Sequence, residues 1–354
     1  MQSSEDDTNI TVIYYDDGPY LATLRIFGVI QFPINMLGLY CIIYVSPKSM
    51  DYFYKCLLVK YQIVASLFDF ETTLLICPCS FWPYLVGYSN GILQYLFNMD
   101  PFAQTLIWVY TLIGMAASIV ELFEYRYQCS QIEQKSKKVS KTRIILTALF
   151  DLVFIQFAWL AYVNLPTNQD KAKLEMAKLW KTPYHTIFNR HAFVIDICVF
   201  CFLHKALLSG TMFCCVVGAT YFMLTVFNLL KMRNMVSEDT FKMQRFYLFV
   251  LCSQVMVPIL LLIIPIYMGF FAEEFSQASN SLAIHTVANH GSTGTLTMLV
   301  TNRYYREYIR SKIPKSWFKC FKKAAVSDSN RTSNNERSNN FANKIIVSRL
   351  FVRN

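Results

Sequence analysis

The long apolar segments of this 354-residue chain constrain its fold more than any other feature. A helix needs about 20 predominantly apolar residues to cross a bilayer. Only helices and closed barrels satisfy their backbone polar groups in lipid, and the chain lacks the short alternating strands of a barrel. We therefore predict an all-α membrane protein, a seven-transmembrane helix bundle with helices at 21–45, 57–85, 102–124, 144–164, 206–230, 246–271 and 281–301.

The composition points the same way and indicates no catalytic centre. Charged residues make up 16% of the chain, whereas a soluble domain usually has about 25%. There is no nucleophile elbow, phosphate-binding glycine loop or cluster of metal ligands, and the cysteines stand singly in apolar runs. We expect neither an enzyme, nor a metal site, nor a cofactor.

Lys and Arg residues indicate the orientation of the chain. With the N-terminus outside, the cytoplasmic loops and tail carry 26 of them (three, six, four and thirteen in succession), against six in the loop 165–205. Cytoplasmic segments are enriched in these residues. We predict the N-terminus outside and the C-terminus inside, with an extracellular segment (1–19), the bundle (20–302), a juxtamembrane amphipathic segment (303–323) and a largely disordered cytoplasmic tail (324–354).

The net charge of +10 suggests a lipid partner. Because most of the basic residues would line one membrane face, we expect them to meet anionic lipids of the inner leaflet and not nucleic acid. The sequon at Asn9 predicts glycosylation. Cys320, among basic and aromatic residues, is a candidate palmitoylation site.

Helix two carries two acidic residues, Asp69 and Glu71, where charge is costly in lipid. They are two apart and point to different sides, so they are not a catalytic pair. Asp69 would form a polar stripe with Thr72 and Thr73, serving either a water or ion network or a simple interhelical hydrogen bond. Glu71 would face solvent or a loop, where it is a speculative ligand contact.

Helix seven places His285 and Asn289 on one face, and His290 precedes small residues that let a neighbouring helix approach. His285 would lie nearer the outer end, as a speculative ligand contact, and His290 deeper, in a polar network with Asp69 and Asn289. A structural role stays open for both histidines. Prolines would bend helices two and six, at Pro78, Pro83, Pro258 and Pro265.

The segment LFEYRY ends helix three on the cytoplasmic side. Arg126 would either bond an acidic neighbour at rest, as an ionic latch, or extend its side chain to lipid headgroups. Glu124 is two residues away and does not face it.

Five blocks carry a family resemblance: LRIFGVIQFPINMLGLYCIIYVSPKSM at 24–50, PCSFWPYLVGYSNGIL at 78–93, LFEYRY at 122–127, SQVMVPILLLIIP at 253–265 and HGSTGTLTMLVTNRYYREYI at 290–309. In these the chain resembles the nematode serpentine chemoreceptors of class h, which are seven-transmembrane G-protein-coupled chemoreceptors. It lacks the Asp-Arg-Tyr and Asn-Pro-x-x-Tyr motifs of rhodopsin-like receptors, and a cysteine pair between helix three and the loop 165–192.

The resemblance implies a receptor for a small-molecule ligand that signals to a heterotrimeric G protein at the plasma membrane, with the sensory cilium as a candidate location. The ligand would enter between the outer halves of the helices, under the loop 165–205. Coupling would involve Glu124, Arg126, Tyr127, Tyr305 and Arg306. The alternatives are a seven-helix ligand-gated channel or transporter, or a membrane protein without G-protein coupling.

Overall fold

The computed structural model describes residues 16–312, apart from 49, 82–85, 132–140, 164, 167, 180–184, 190, 196, 234, 236, 266 and 268–276. Long helices dominate this part of the chain. They are α1 (Gly18–Tyr40), α2 (Tyr52–Phe70), α3 (Ile92–Phe97), α4 (Pro101–Cys129), α5 (Lys141–Val163), α6 (Gln169–Leu179), α7 (Ile197–Met232), α8 (Glu238–Pro258), α9 (Gln277–Ala288), α10 (His290–Thr301) and α11 (Arg303–Lys312). Four spans are long and apolar enough to cross a membrane, namely Gly18–Val45, Pro101–Cys129, Ser209–Met232 and Glu238–Ile263.

Three of the helices begin at side-chain caps that the sequence supplies locally. Asp51 accepts a hydrogen bond from the Phe53 amide at 3.2 Å and starts α2. Asp100 accepts a hydrogen bond from the Ala103 amide at 3.0 Å and starts α4, with Pro101 in the first turn. Such caps satisfy amides that have no partner inside the helix.

The helices pack so that α2 and α4 share an interface with each other and α1 and α10 contact α2. Helix α4 also packs on α7, and α8 packs on α10. The buried centre of residues 16–302 therefore lies between the first, second, third and seventh predicted membrane helices, with the sixth against the seventh.

An antiparallel sheet, which the sequence did not predict, lies at one end of the bundle. It has the order β1 (Pro78–Phe81), β2 (Val86–Ser89) and β3 (Phe193–Val194). In the register, Pro78 pairs with Ser89 and Val86 pairs with Val194. We call this end of the bundle the sheet end, and the opposite end, around Arg126, the arginine end.

Helix two is shorter than predicted. The apolar stretch 57–85 predicts one helix. In the structure, α2 is followed by a π-helical segment, Glu71–Leu75, and the chain then turns into β1. Cys77 makes that turn with a φ of 47°. Pro78 is therefore the first residue of a strand and bends no helix, and Pro83 lies outside the described residues. Hydropathy cannot separate an apolar strand from the end of an apolar helix.

Helix six changes its winding at a proline. Pro258 is the last α-helical residue of α8, and a π-helical segment, Ile259–Ile263, follows. A proline cannot donate a backbone hydrogen bond, so the regular ladder is interrupted at this residue. Pro265 lies just beyond the π-helical segment. The predicted bends at these two prolines stay predictions.

Helix seven consists of two pieces. Helices α9 and α10 have 12 residues each and meet at Asn289, which stands between them with φ −96° and ψ 0°. Helix five, in contrast, is longer than predicted, since α7 begins at Ile197. Residues 197–204 of this apolar region thus belong to helix five, and Phe193–Val194 form β3.

The chain divides between Asn302 and Arg303 into two units. Within the second unit, Arg303 and Glu307 form an ion pair at 2.7 Å, one helical turn apart on α11. Lys312 lies over the ring of Tyr308, 5.7 Å from its centroid.

Candidate functional site

Asp69 is the centre of a buried polar cluster and is 1% exposed. Its carboxylate accepts hydrogen bonds from the backbone amides of Gly291 at 3.1 Å and Ser292 at 2.7 Å. The Asn35 side-chain amide donates to it at 3.3 Å, and His290 Nδ1 lies 3.3 Å away. The two backbone amides and Asn35 present donors, so both carboxylate oxygens act as acceptors.

The break in helix seven explains why Asp69 is buried there. The first amides of a helix have no partner within it, and Asn289, at the N-cap of α10, provides no side-chain cap. Asp69 takes over that function from another helix, since the two amides it binds belong to Gly291 and Ser292 in the first turn of α10. The carboxylate also lies at the positive end of the helix dipole.

The cluster continues toward the arginine end through residues that the sequence analysis did not single out. Thr295 donates to the Asn35 carbonyl oxygen at 2.9 Å, and Gln62 donates to Thr295 at 2.8 Å. A polar residue in each of helices one, two and seven thus joins one network. Isolated amides inside apolar segments were the signal that could have found them, because such groups need partners in lipid.

His290 and Asn289, both predicted to belong to the network, have different partners. His290 is 1% exposed, and its Nδ1 donates to the Val287 carbonyl at 2.8 Å while its Nε2 lies 2.9 Å from the sulfur of Met115 in α4. Asn289 does not bond Asp69. It accepts a hydrogen bond from Gln31 of α1 at 2.8 Å.

Glu71 is buried, contrary to the expectation that it faces solvent or a loop, and is 3% exposed. Thr111 of α4 donates to its carboxylate at 2.6 Å. One residue further, Thr72 accepts from the Trp108 indole at 2.9 Å. Because Asp69 faces α10 while Thr72 faces α4, the predicted polar stripe is divided between two interfaces. The π-helical segment that begins at Glu71 alters the spacing on which the stripe was based.

At the sheet end, His285 of α9 faces two aromatic residues of α1. The ring centroids of Tyr20 and Phe27 lie 4.9 Å and 5.7 Å from that of His285, both edge-to-face. The His285 Nδ1 donates to the Ser281 carbonyl at 2.6 Å. Its Nε2 is shielded from solvent and has no hydrogen-bond partner among the described residues.

Gln31, one turn after Phe27 on α1, has an unpartnered acceptor atom like that of His285 among the described residues. Its amide nitrogen donates to the Ala288 carbonyl at 3.0 Å and to Asn289 at 2.8 Å. Its oxygen Oε1 is shielded and unpartnered within the described part of the chain. The side chain is 4% exposed.

A small hydrophobic core covers this end of the bundle. It joins the tops of α1 and α9 to the sheet and to the loop 165–205, and its members include Tyr20, Leu24, Ile187, Val194 and Ala288. The loop 165–205 therefore packs directly over the region of His285.

Polar contacts fix the same loop to the top of helix three. Gln104 of α4 donates to Gln94 at 3.1 Å, and Gln94 lies 2.9 Å from Nδ1 of His191 in the loop. Lys173 donates to the Asn189 carbonyl at 3.0 Å, and burial lowers the pKa of Lys173 below its ordinary value. The cysteines that the structure describes are free, so hydrogen bonds make the connection here.

At the arginine end, the Arg126 guanidinium lies between two tyrosine rings. Its Cζ is 3.7 Å from the ring centroid of Tyr54 in α2 and 4.8 Å from that of Tyr247 in α8. Arg126 is 6% exposed, and its Nε and Nη2 have no hydrogen-bond partner among the residues that the structure describes. We call these three residues the arginine clamp.

The predicted ionic latch is therefore wrong for this structure. Among the residues that the structure describes, no acidic side chain pairs with Arg126. Glu124 accepts instead from Gln128, and Glu121 pairs with Lys60 of α2 at 2.9 Å. The two glutamates lie on other faces of α4, and the tyrosine rings occupy the space around the guanidinium.

The remaining predicted site residues lie elsewhere. Tyr127 contacts the ring of Tyr221 in α7, with centroids 5.8 Å apart. Tyr305 and Arg306 belong to α11, in the second unit. Asn9 and Cys320 lie outside the described residues. No group of three or more His, Cys, Asp or Glu side chains suited to a metal ion occurs in the part of the chain that was searched.

Comparisons with known proteins agree with this architecture. Residues 17–315 match the family model described as "Serpentine type 7TM GPCR chemoreceptor Srh". Squid rhodopsin is similar in fold, with a TM-score of 0.52 over 88% of this chain and 93% of that one, at 10% sequence identity. No curated protein gives a significant sequence match.

Proposed function

Because the chain belongs to the serpentine type 7TM GPCR chemoreceptor family Srh, we propose that it binds a small molecule at its sheet end and signals to a heterotrimeric G protein at its arginine end. In this proposal the sheet end is extracellular, the tail is cytoplasmic and the receptor lies in the plasma membrane, with a sensory cilium as a candidate location. The basic tail meets anionic lipids of the inner leaflet, and Asn9 and Cys320 are the sites of glycosylation and palmitoylation.

The observation that carries the proposal is the arginine clamp. Arg126 connects three helices, since Tyr54 belongs to α2 and Tyr247 to α8. Within the described part of the chain its Nε and Nη2 are buried donors without acceptors, and such groups cost roughly 1–3 kcal/mol each. A partner that offers carbonyl or carboxylate oxygens would satisfy them.

We infer the following sequence of events. Movement of α8 away from α4 removes Tyr247 from one side of Arg126 and exposes the donors to the G protein. Ligand and G protein both favour this open arrangement because each binds it better than the closed one, and only such a difference in affinity can shift the population. Glu124, Tyr127, Tyr305 and Arg306 remain candidate coupling residues.

The test is G-protein activation by the full-length receptor in nanodiscs, measured as guanine-nucleotide exchange on added heterotrimers. We expect exchange to rise with an activating odorant mixture in wild type, and Arg126→Ala to abolish the rise while surface expression stays normal. The matched control is Lys60→Gln, which alters a different basic residue at the same end of the bundle and leaves the clamp intact. If no ligand or heterotrimer gives exchange in a receptor that is folded and at the surface, the proposal fails.

A further inference from the structure

From the sheet end of the structure we infer that the interface between α1 and α9 binds a neutral alcohol, which donates its hydroxyl proton to His285 Nε2 or Gln31 Oε1. This inference rests on the proposed function, since a chemosensory receptor has to bind a small molecule. It adds the chemical class of the ligand and the two atoms that select it.

The position of the ring hydrogen on His285 decides which of its nitrogens can accept a hydrogen bond. The Ser281 carbonyl accepts a hydrogen bond from Nδ1 at 2.6 Å, and a carbonyl oxygen can only accept. The proton of the neutral ring is therefore on Nδ1, which leaves a lone pair on Nε2. The Nε2 atom of His285 can therefore accept a hydrogen bond from a ligand but cannot donate one.

The side-chain amide of Gln31 also has a defined orientation. Its amide nitrogen has two acceptors within 3.0 Å, the Ala288 carbonyl and the Asn289 side-chain oxygen. Reversing the amide would place an oxygen against both of them, so the orientation is fixed. The remaining atom, Oε1, is again an acceptor.

Two acceptors thus lie at one interface, and no donor among the described residues bonds either of them. Phe27 of α1 contacts His285. One turn further along α1, Gln31 contacts Asn289, which lies one turn after His285. The two acceptors are therefore about one helical turn apart. Buried polar atoms in proteins nearly always have partners, so a donor that reaches this interface would be stabilised by these two acceptors.

The surroundings determine the rest of the ligand. Tyr20 and Phe27 place aromatic rings beside His285, and such surfaces favour an apolar body. Two lone pairs would repel a carboxylate, and among the described residues no acidic side chain bonds His285 or Gln31 to attract a protonated amine. A neutral molecule with a hydroxyl group and a hydrocarbon body fits both conditions.

Access also follows from the structure. Both acceptor atoms are shielded in the closed form, so an alcohol has to displace the aromatic side chains. Helix α9 is separated from α10 at Asn289, which lets the piece that carries His285 shift without unwinding the piece that Asp69 caps.

The experiment measures binding without a G protein. Purified receptor in nanodiscs is titrated with straight-chain alcohols from butanol to octanol and with the methyl ether of each, which has a similar hydrocarbon body but no donor. Binding is measured by saturation-transfer NMR, and the ether corrects for partition into lipid. We expect at least one alcohol to bind more tightly than its ether, by roughly five- to tenfold, as one hydrogen bond provides.

Two variants assign the effect to the site. His285→Phe keeps an aromatic ring against Tyr20 and Phe27 but removes the acceptor, and Gln31→Met keeps the length of the side chain. Each is expected to reduce the preference of alcohol over ether, whereas Thr297→Val, on α10 and remote from the site, is expected to keep it. If Gln31→Met fails to fold, His285→Phe carries the test alone.

The outcomes separate this inference from the proposed function. If no alcohol binds better than its ether, or if neither variant changes the preference, the inference is overturned, and water is the remaining occupant of the site. A receptor that activates a G protein with other ligands would then keep its proposed function. If alcohols bind as expected but no heterotrimer responds, the inference stands and the proposed function fails.

Discussion

The polar residues at the centre of the bundle take most of their hydrogen bonds from other helices. Asp69 of α2 binds two amides of α10 and the Asn35 side chain of α1. Such contacts require the backbones to come close together. Gly291 makes this possible, since a Cβ there would lie 2.6 Å from the Asp69 carboxylate and 2.8 Å from the Ala65 carbonyl.

A single methyl group at this position is therefore expected to disrupt the centre. Gly291→Ala forces α10 away from α2 and should lower the free energy of unfolding by roughly 1–3 kcal/mol. The measurement is unfolding of the purified receptor in mixed micelles.

Gly210→Ala is the matched control. A Cβ at Gly210 meets nothing within 4 Å, and alanine favours a helix over glycine by up to about 1 kcal/mol. We expect this variant to be as stable as wild type or more so. Equal destabilisation by both variants would contradict the close approach of α2 and α10.

At the scale of helices, the arginine clamp connects α4 to α8 without an ion pair. Each cation–π contact is worth about 0.5–2 kcal/mol. The clamp therefore holds the two helices together weakly enough to be released by a ligand of ordinary affinity. A buried ion pair would be harder to break, because separation leaves uncompensated charge.

Removing one ring should shift the receptor toward the open arrangement. We expect Tyr247→Leu to raise the open population by roughly 2- to 30-fold, as the loss of one cation–π contact implies. The measurement is the distance distribution between spin labels at the arginine ends of α4 and α8, without ligand or G protein. Tyr247→Phe keeps the ring and should stay close to wild type, and a Phe variant as open as the Leu variant would rule out the clamp.

The hydrogen bonds at the sheet end lead to a different expectation. Gln94 and His191 join the loop 165–205 to helix three, and the described cysteines are free. Dithiothreitol should therefore leave the melting temperature unchanged, while Gln94→Leu should lower it by removing one of the two acceptors of the Gln104 amide, the other being the Met99 carbonyl. A large drop with dithiothreitol would show that a disulfide stabilises the receptor.

The sequence predicted the helices better than their ends. Length and hydropathy identify a membrane helix because the bilayer sets both, and the family blocks specified the bundle. The end of helix two was missed, since 78–81 is as apolar as a helix but forms β1. Hydropathy likewise gave no indication that helix seven stops at Asn289.

The site was predictable only in part. Asp69 and His290 were identified because charge and imidazole are rare in apolar segments. Their partners could not be, since Asn35 and Thr295 are 260 positions apart in the chain. The arginine clamp was missed for the same reason: the sequence predicted an acidic partner for Arg126, whereas its partners Tyr54 and Tyr247 come from distant helices.

For the whole molecule, the assignment of function depends on which end faces the cytoplasm. The sequons Asn9-Ile-Thr and Asn330-Arg-Thr lie near opposite ends of the chain. Seven crossings place them on opposite sides of the membrane, and only the lumenal one can be modified. We expect a glycosidase-sensitive mass shift that Asn9→Gln removes and Asn330→Gln leaves unchanged. If Asn330→Gln removed the shift and Asn9→Gln left it unchanged, the arginine end would face outside and G-protein coupling would be ruled out.

The interruption of helix seven also affects how such a receptor can diversify. Residues 277–288 and 290–301 are separate helices, and only the second depends on the cap from Asp69. Under the proposed function, mutations in the first alter which molecule is detected while the fold of the second, and its contact with α8, are maintained. A gene duplicate could therefore acquire a new specificity through changes in 277–288 and keep the signalling half of its parent.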